Sequence, residues 1–128
     1  MNGWTNVVIG TVVIALTATA AWAIYPKLSA TLVGVQTNGV TPRGDARIDQ
    51  SKYPMELPRL EVRGDDINLP DGSVLTVHMH NAQIGTLRVS GKRVQGAMNT
   101  IYQVGANEDL FIRHNGVDVL FYTARWKN

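Results

Sequence analysis

From Val7 to Tyr25 the chain carries no charged side chain and is almost wholly apolar. No other stretch limits the fold so strongly. At about 1.5 Å of rise per residue, a helix of roughly 20 residues crosses the hydrocarbon core of a bilayer. Trp4 stands near one end of the run, with Trp22 and Tyr25 near the other. Amphipathic aromatics favour the headgroup layers, and the helical rise from Trp4 to Trp22 comes to about 27 Å. Pro26 and Lys27 would stop such a helix and return the chain to water. The reading is a membrane anchor over residues 1–27 followed by one domain over residues 28–128.

Ala21-Trp22-Ala23 also fits the small-x-small pattern of a signal-peptidase site. Against cleavage, the leader Met1–Asn6 has no Lys or Arg, and the apolar run exceeds a usual signal core. An uncleaved single-pass anchor in the inner (cytoplasmic) membrane is expected. Lys27, Arg43 and Arg47 follow the run, which by the positive-inside rule leans toward a cytoplasmic domain. The signal-like features lean the other way, and the exported, periplasmic side is expected for the β-domain. Thr11, Ala15, Thr19 and Ala23 recur every fourth residue. Such a ridge of small side chains lets membrane helices approach closely, so these four are the expected helix-packing residues. The run offers no axial ligand for haem and no ionisable group for a proton path.

About 100 residues remain after this segment, enough for one small core. The net charge is only +2, and the nearest thing to a basic patch is Arg88, Lys92 and Arg93. Those three could touch an anionic headgroup or an acidic partner, but a nucleic-acid binder shows a larger stripe. Solvated surface is the better reading, and no nucleic-acid partner is expected. With no cysteine there is no disulfide framework, thiolate metal site or cysteine nucleophile.

From Ser29 onward, short runs alternate with turn signals in the manner of an all-β domain. Candidate strands are Ser29–Val35, a short one at Ala46–Ile48, and Leu57–Arg63, the last given an edge position by Pro54 and Pro58. Leu75, Val77 and Met79 alternate with Thr76, His78 and His80, the period of a half-buried strand. A turn near Asn81-Ala82 leads back through Gly85, Leu87 and Val89, and a turn at Ser90-Gly91 leads to Val94–Tyr102. Asn115-Gly116 joins Leu110–His114 to Val117–Arg125 as a type I′ hairpin. The last strand is apolar on both faces, so it is either central or covered by a partner. The expected fold is a transmembrane helix plus a small antiparallel β-sandwich or flattened barrel.

The stretch Asn68-Leu69-Pro70-Asp71-Gly72, the strand after it and the return Ile84-Gly85-Thr86 resemble a little-characterised kind of bacterial exported all-β domain. Ser29–Gly44 is similar to the opening strand and Gly-rich loop of the same pattern. The resemblance implies export and a β fold but no activity. His78, His80 and Asn81 depart from it, standing where the pattern has plain β-formers and an Asn-Gly turn.

His78 and His80, two apart on one strand, would point to the same side as half a zinc or copper site. His114 is the only other histidine, and no third ligand has diagnostic spacing. The polar face of a strand explains the pair better, leaving His78 and His80 as weak metal candidates. Asp65, Asp66 and Asp71 lack the rhythm of a calcium loop, and Glu108-Asp109 reads as a turn. No nucleophile elbow, phosphate loop or paired-carboxylate motif is present. No enzyme activity and no cofactor are expected.

Three function classes remain. The first is a non-catalytic accessory subunit of a larger membrane complex, its helix packed on partner helices and its β-domain clamped on an extramembrane surface. A photosynthetic or respiratory electron-transport complex is the host type this suggests. Integral membrane subunits and the lipid bilayer are then its partners. The second is a pilin-like or filament subunit, which would have a processed leader. The third is a tethered ligand- or metal-binding module, which bound metal in the isolated domain would favour.

Overall fold

The computed structural model describes residues 27–123 and 125–128. They form eight strands: β1 (Lys27–Gly34), β2 (Arg43–Asp49), β3 (Arg59–Asp65), β4 (Val74–Met79), β5 (Ala82–Arg88), β6 (Val94–Asn99), β7 (Leu110–His114) and β8 (Val117–Tyr122). All pairings are antiparallel, in one sheet of order β5-β4-β7-β8-β1-β2-β3-β6. In β1, β3 and β4 buried residues alternate with more exposed ones. That alternation sets register, because a slip by one residue would turn the apolar set to water.

Four two-residue turns carry positive φ at both positions, as type I′ requires: Asn38-Gly39, His80-Asn81, Gly91-Lys92 and Asn115-Gly116. Their twist matches that of the strands they join, which helps the sheet curl. It curls until its two end strands, β5 and β6, meet in a nearly closed barrel. Side chains seal this seam from within. A Cβ on Gly85 would lie 2.5 Å from Met98 Sδ, and one on Gly96 would lie 2.6 Å from Leu87 Cδ2. Opposite the seam, Leu120 of β8 fills the space that Gly44 and Gly64 leave open, with Cβ positions 3.1 and 2.9 Å from its Cδ1. Leu120, Leu60, Leu75, Val77, Leu110 and Ile112 are fully buried in the interior.

The ends are plugged by loop side chains. Ile67 closes one end, its N–H donating to Lys92 O at 3.0 Å. At the other, Trp126 packs edge-on to Tyr122 and donates Nε1–H to Glu108 O at 2.7 Å. Beside it, Gln50 Nε2 donates to Val104 O (2.9 Å) and Oε1 accepts from Val104 N–H (2.7 Å).

The expected fold class is corrected in its helical part. The described residues contain no helix, and none long and apolar enough to cross a membrane; their alternation commits them to strands from Lys27 onward. The expected helix, with Thr11, Ala15, Thr19, Ala23 and the interface residues Trp4, Trp22 and Tyr25, lies outside the described residues. Of the two packings expected for the β-domain, the barrel is the one formed, with one continuous ladder running from β5 to β6 rather than two stacked sheets. Local boundaries shift as well. The β4–β5 turn is His80-Asn81 rather than Asn81-Ala82, and β3 is an inner strand because Pro58 precedes it without occupying it. β2 extends over Arg43–Asp49, while β6 and β8 stop at Asn99 and Tyr122. As the two-sided apolar pattern implied, β8 is central, between β7 and β1.

Candidate functional site

The histidines separate because the turn falls one residue earlier than alternation alone suggests. His78 stays in β4 on the outer face, between the buried Val77 and Met79. Its Nε2 lies 2.8 Å from Thr76 Oγ1. Burial, and secondly the Arg113 cation, push its imidazole below the ordinary value, with Asp118 acting in the opposite sense. His80 instead occupies the first turn position at φ 57°, a left-handed conformation that costs a non-glycine residue about 1–2 kcal/mol.

From there the His80 side chain, only 2% exposed, folds under the loop between β6 and β7. Its Nδ1 meets Glu108 Oε2 at 3.2 Å, and its ring packs on Tyr102 at 4.1 Å between centroids. Nδ1 thus faces the carboxylate, while the buried Nε2 has no hydrogen-bond partner among the described residues. Glu108 is itself positioned by Trp126, which caps its carbonyl. This is a polar clasp between a hairpin and a loop. The second ring nitrogen of His80, Nε2, is closed to solvent.

A shallow cleft of about 320 Å³ lies beside the clasp, lined by His78, Asn81, Glu108, Asp109, Phe111 and Arg113. Among the described residues, no group of three or more His, Cys, Asp or Glu side chains is placed to hold a metal ion. His114 is remote from the other two histidines in register, beside the β7–β8 turn. Arg88 and Arg93 line a groove with Arg63, where Arg93 Nε pairs with Asp65 Oδ1 at 3.2 Å. Lys92 occupies the adjoining turn. Asp71 accepts from Gly91 N–H at 2.9 Å, which explains it as a turn residue.

The outer face around His78 has a feature that its individual residues do not announce. Register sets Val33 of β1 beside Phe121 of β8, Phe121 beside Phe111 of β7, and Phe111 beside His78 of β4. Three interstrand steps make a row about 14 Å long across the barrel wall. Val33 is 55% exposed. Arg113 lies over the Phe111 ring at 4.8 Å and pairs with Asp118 at 2.8 Å, so the row has a charged margin. Beyond Val33 it turns polar with Arg43, which pairs with Asp66. Phe111 and Phe121 are half-buried on this face, and the exposed Val33 ends the row.

Sequence reasoning missed Val33, Phe111 and Phe121 as a group. The signal was the apolar outer face of β8, but the cross-strand register that assembles the row is set by long-range pairing. Comparison with protein-family models, with characterised proteins and with solved structures found no match.

Proposed function

We propose that this chain is a non-catalytic accessory subunit of a larger membrane complex. Its apolar sequence from Val7 to Tyr25 keeps the barrel at a membrane, and the outer row Val33–Phe121–Phe111–His78 docks on the extramembrane surface of an integral membrane subunit. The row is the observation that carries the reading. Aromatic residues grouped on a rigid wall supply contact area at little entropic cost, and they are typical anchors of protein interfaces. The Arg113–Asp118 pair at the margin offers orientation rather than affinity. The likeness to exported bacterial domains supports a barrel on the outer side of the membrane. The metal-handling alternative has little support, since His78 and His80 diverge.

Mild detergent extraction followed by native sizing and mass spectrometry tests this. The full chain is expected in a stoichiometric assembly with an integral membrane protein, and Phe111→Ser with Phe121→Ser is expected to release it. A lone monomer in the unaltered chain would refute the reading.

A further inference from the structure

The end of the barrel where β1 begins carries four exposed apolar side chains, against the smaller Val40, Val74 and Val117 at the opposite end. Lys27 pairs with Asp49, Asp49 with Arg59, and Arg59 with Asn99, so the four stand in one row. Immediately past that row come the loop from 50 to 58 and the loop from 100 onward. Both carry apolar side chains turned to solvent: Met55 is 90% exposed, Leu57 48%, Ile101 50% and Tyr102 49%. The loops are tied together, with Thr100 N–H donating to Pro58 O at 3.0 Å and Asn99 Nδ2 to Leu57 O at 3.4 Å. The four apolar side chains are thus carried on one braced rim.

The same row contains Lys27, where β1 starts, and the uncharged sequence ends at Tyr25. A chain held at a membrane by Val7–Tyr25 therefore brings this end of the barrel to the bilayer. Two residues of extended chain reach only about 7 Å, so the rim cannot stand far from the headgroups. We infer that the Met55, Leu57, Ile101 and Tyr102 rim rests in the lipid interface, an inference that builds on the membrane reading above. Methionine, leucine and isoleucine gain by leaving water, and tyrosine favours the headgroup layer. Lys52 pairs with Glu56 and Arg59 with Glu61 around the rim, so apolar contact carries the docking and acidic lipid is not required. The aromatic row then lies on the barrel wall, facing sideways toward a neighbouring subunit.

The chain has no cysteine, so single ones can be introduced and labelled with an environment-sensitive fluorophore. Met55→Cys, Ile101→Cys and, at the far end, Val117→Cys would each be made in the full chain and reconstituted with phosphatidylcholine vesicles. Flotation is read first. Labels at 55 and 101 are expected to shift to the blue and to be quenched by nitroxide-bearing lipid several-fold more than the label at 117. Chains that float with labels at 55 and 101 as water-exposed as that at 117 would overturn the rim and leave the membrane reading standing. Chains that do not float would overturn both.

Discussion

Gln50 holds Val104 by two hydrogen bonds, donating from Nε2 to the carbonyl and accepting at Oε1 from the N–H. A side chain here does the work of a strand neighbour. It binds the loop after β6 to the end of β2, and both partners are buried. Removing the amide leaves a backbone donor and acceptor unpaired. Gln50→Ala is therefore expected to cost about 3 kcal/mol, read as a lowered urea midpoint. A midpoint within about 0.5 kcal/mol of the unaltered chain would show that water replaces the amide freely.

The barrel interior depends on a large residue opposite small ones. Gly64→Ala places a Cβ 2.9 Å from both Leu120 Cδ1 and Val94 Cγ2. Overpacking of this kind costs about 1–3 kcal/mol, and Leu120→Val alone should cost about 1 kcal/mol. Their combination is expected to be less destabilising than the sum, because the shorter Leu120 replacement makes room for the new methyl. Strict additivity in urea unfolding would argue against this packing.

His80 combines an unfavourable backbone with favourable contacts, and two substitutions separate them. His80→Ala loses the Tyr102 and Glu108 contacts but keeps φ at 57°. His80→Gly loses the same contacts and relieves the backbone. The glycine variant should be the more stable of the two by about 1 kcal/mol in urea unfolding. Equal stabilities would mean that the turn relaxes without cost.

His78 gives the domain a pH dependence. Its folded value lies below the ordinary 6.5, so near and just below that pH the unfolded chain binds more protons than the native one. Stability is accordingly lost as pH falls through 6.5, and above it both states are neutral and the contribution vanishes. In His78→Gln the fall in urea midpoint between about pH 7.5 and 5.5 should be smaller than in the unaltered chain. An identical fall in both would assign it elsewhere.

Much of the β-domain could be read locally. The alternation of Leu75, Val77 and Met79 and the Asn115-Gly116 turn both appear in the strands expected. Local signals did not distinguish a sandwich from one curled sheet, because closure depends on Gly44, Gly64, Gly85 and Gly96 meeting side chains far away in sequence. His80 was misplaced because Asn81 invites a turn that starts at itself, whereas the hairpin takes His80 as its first left-handed residue. The exterior row was legible only in part. Phe121 stood out on a two-faced strand, but its alignment with Val33, Phe111 and His78 is a property of three ladders.

The docking row can be tested most directly by photo-crosslinking from benzoylphenylalanine, placed at Phe121 and, as a control, at Glu61. Glu61 is exposed on β3, away from the row. In membranes containing the assembled complex, the label at 121 should join the chain to one integral membrane protein in stoichiometric yield. The label at 61 should give none of that product. No crosslink from 121, or the same product in equal yield from 61, would contradict docking through the aromatic row.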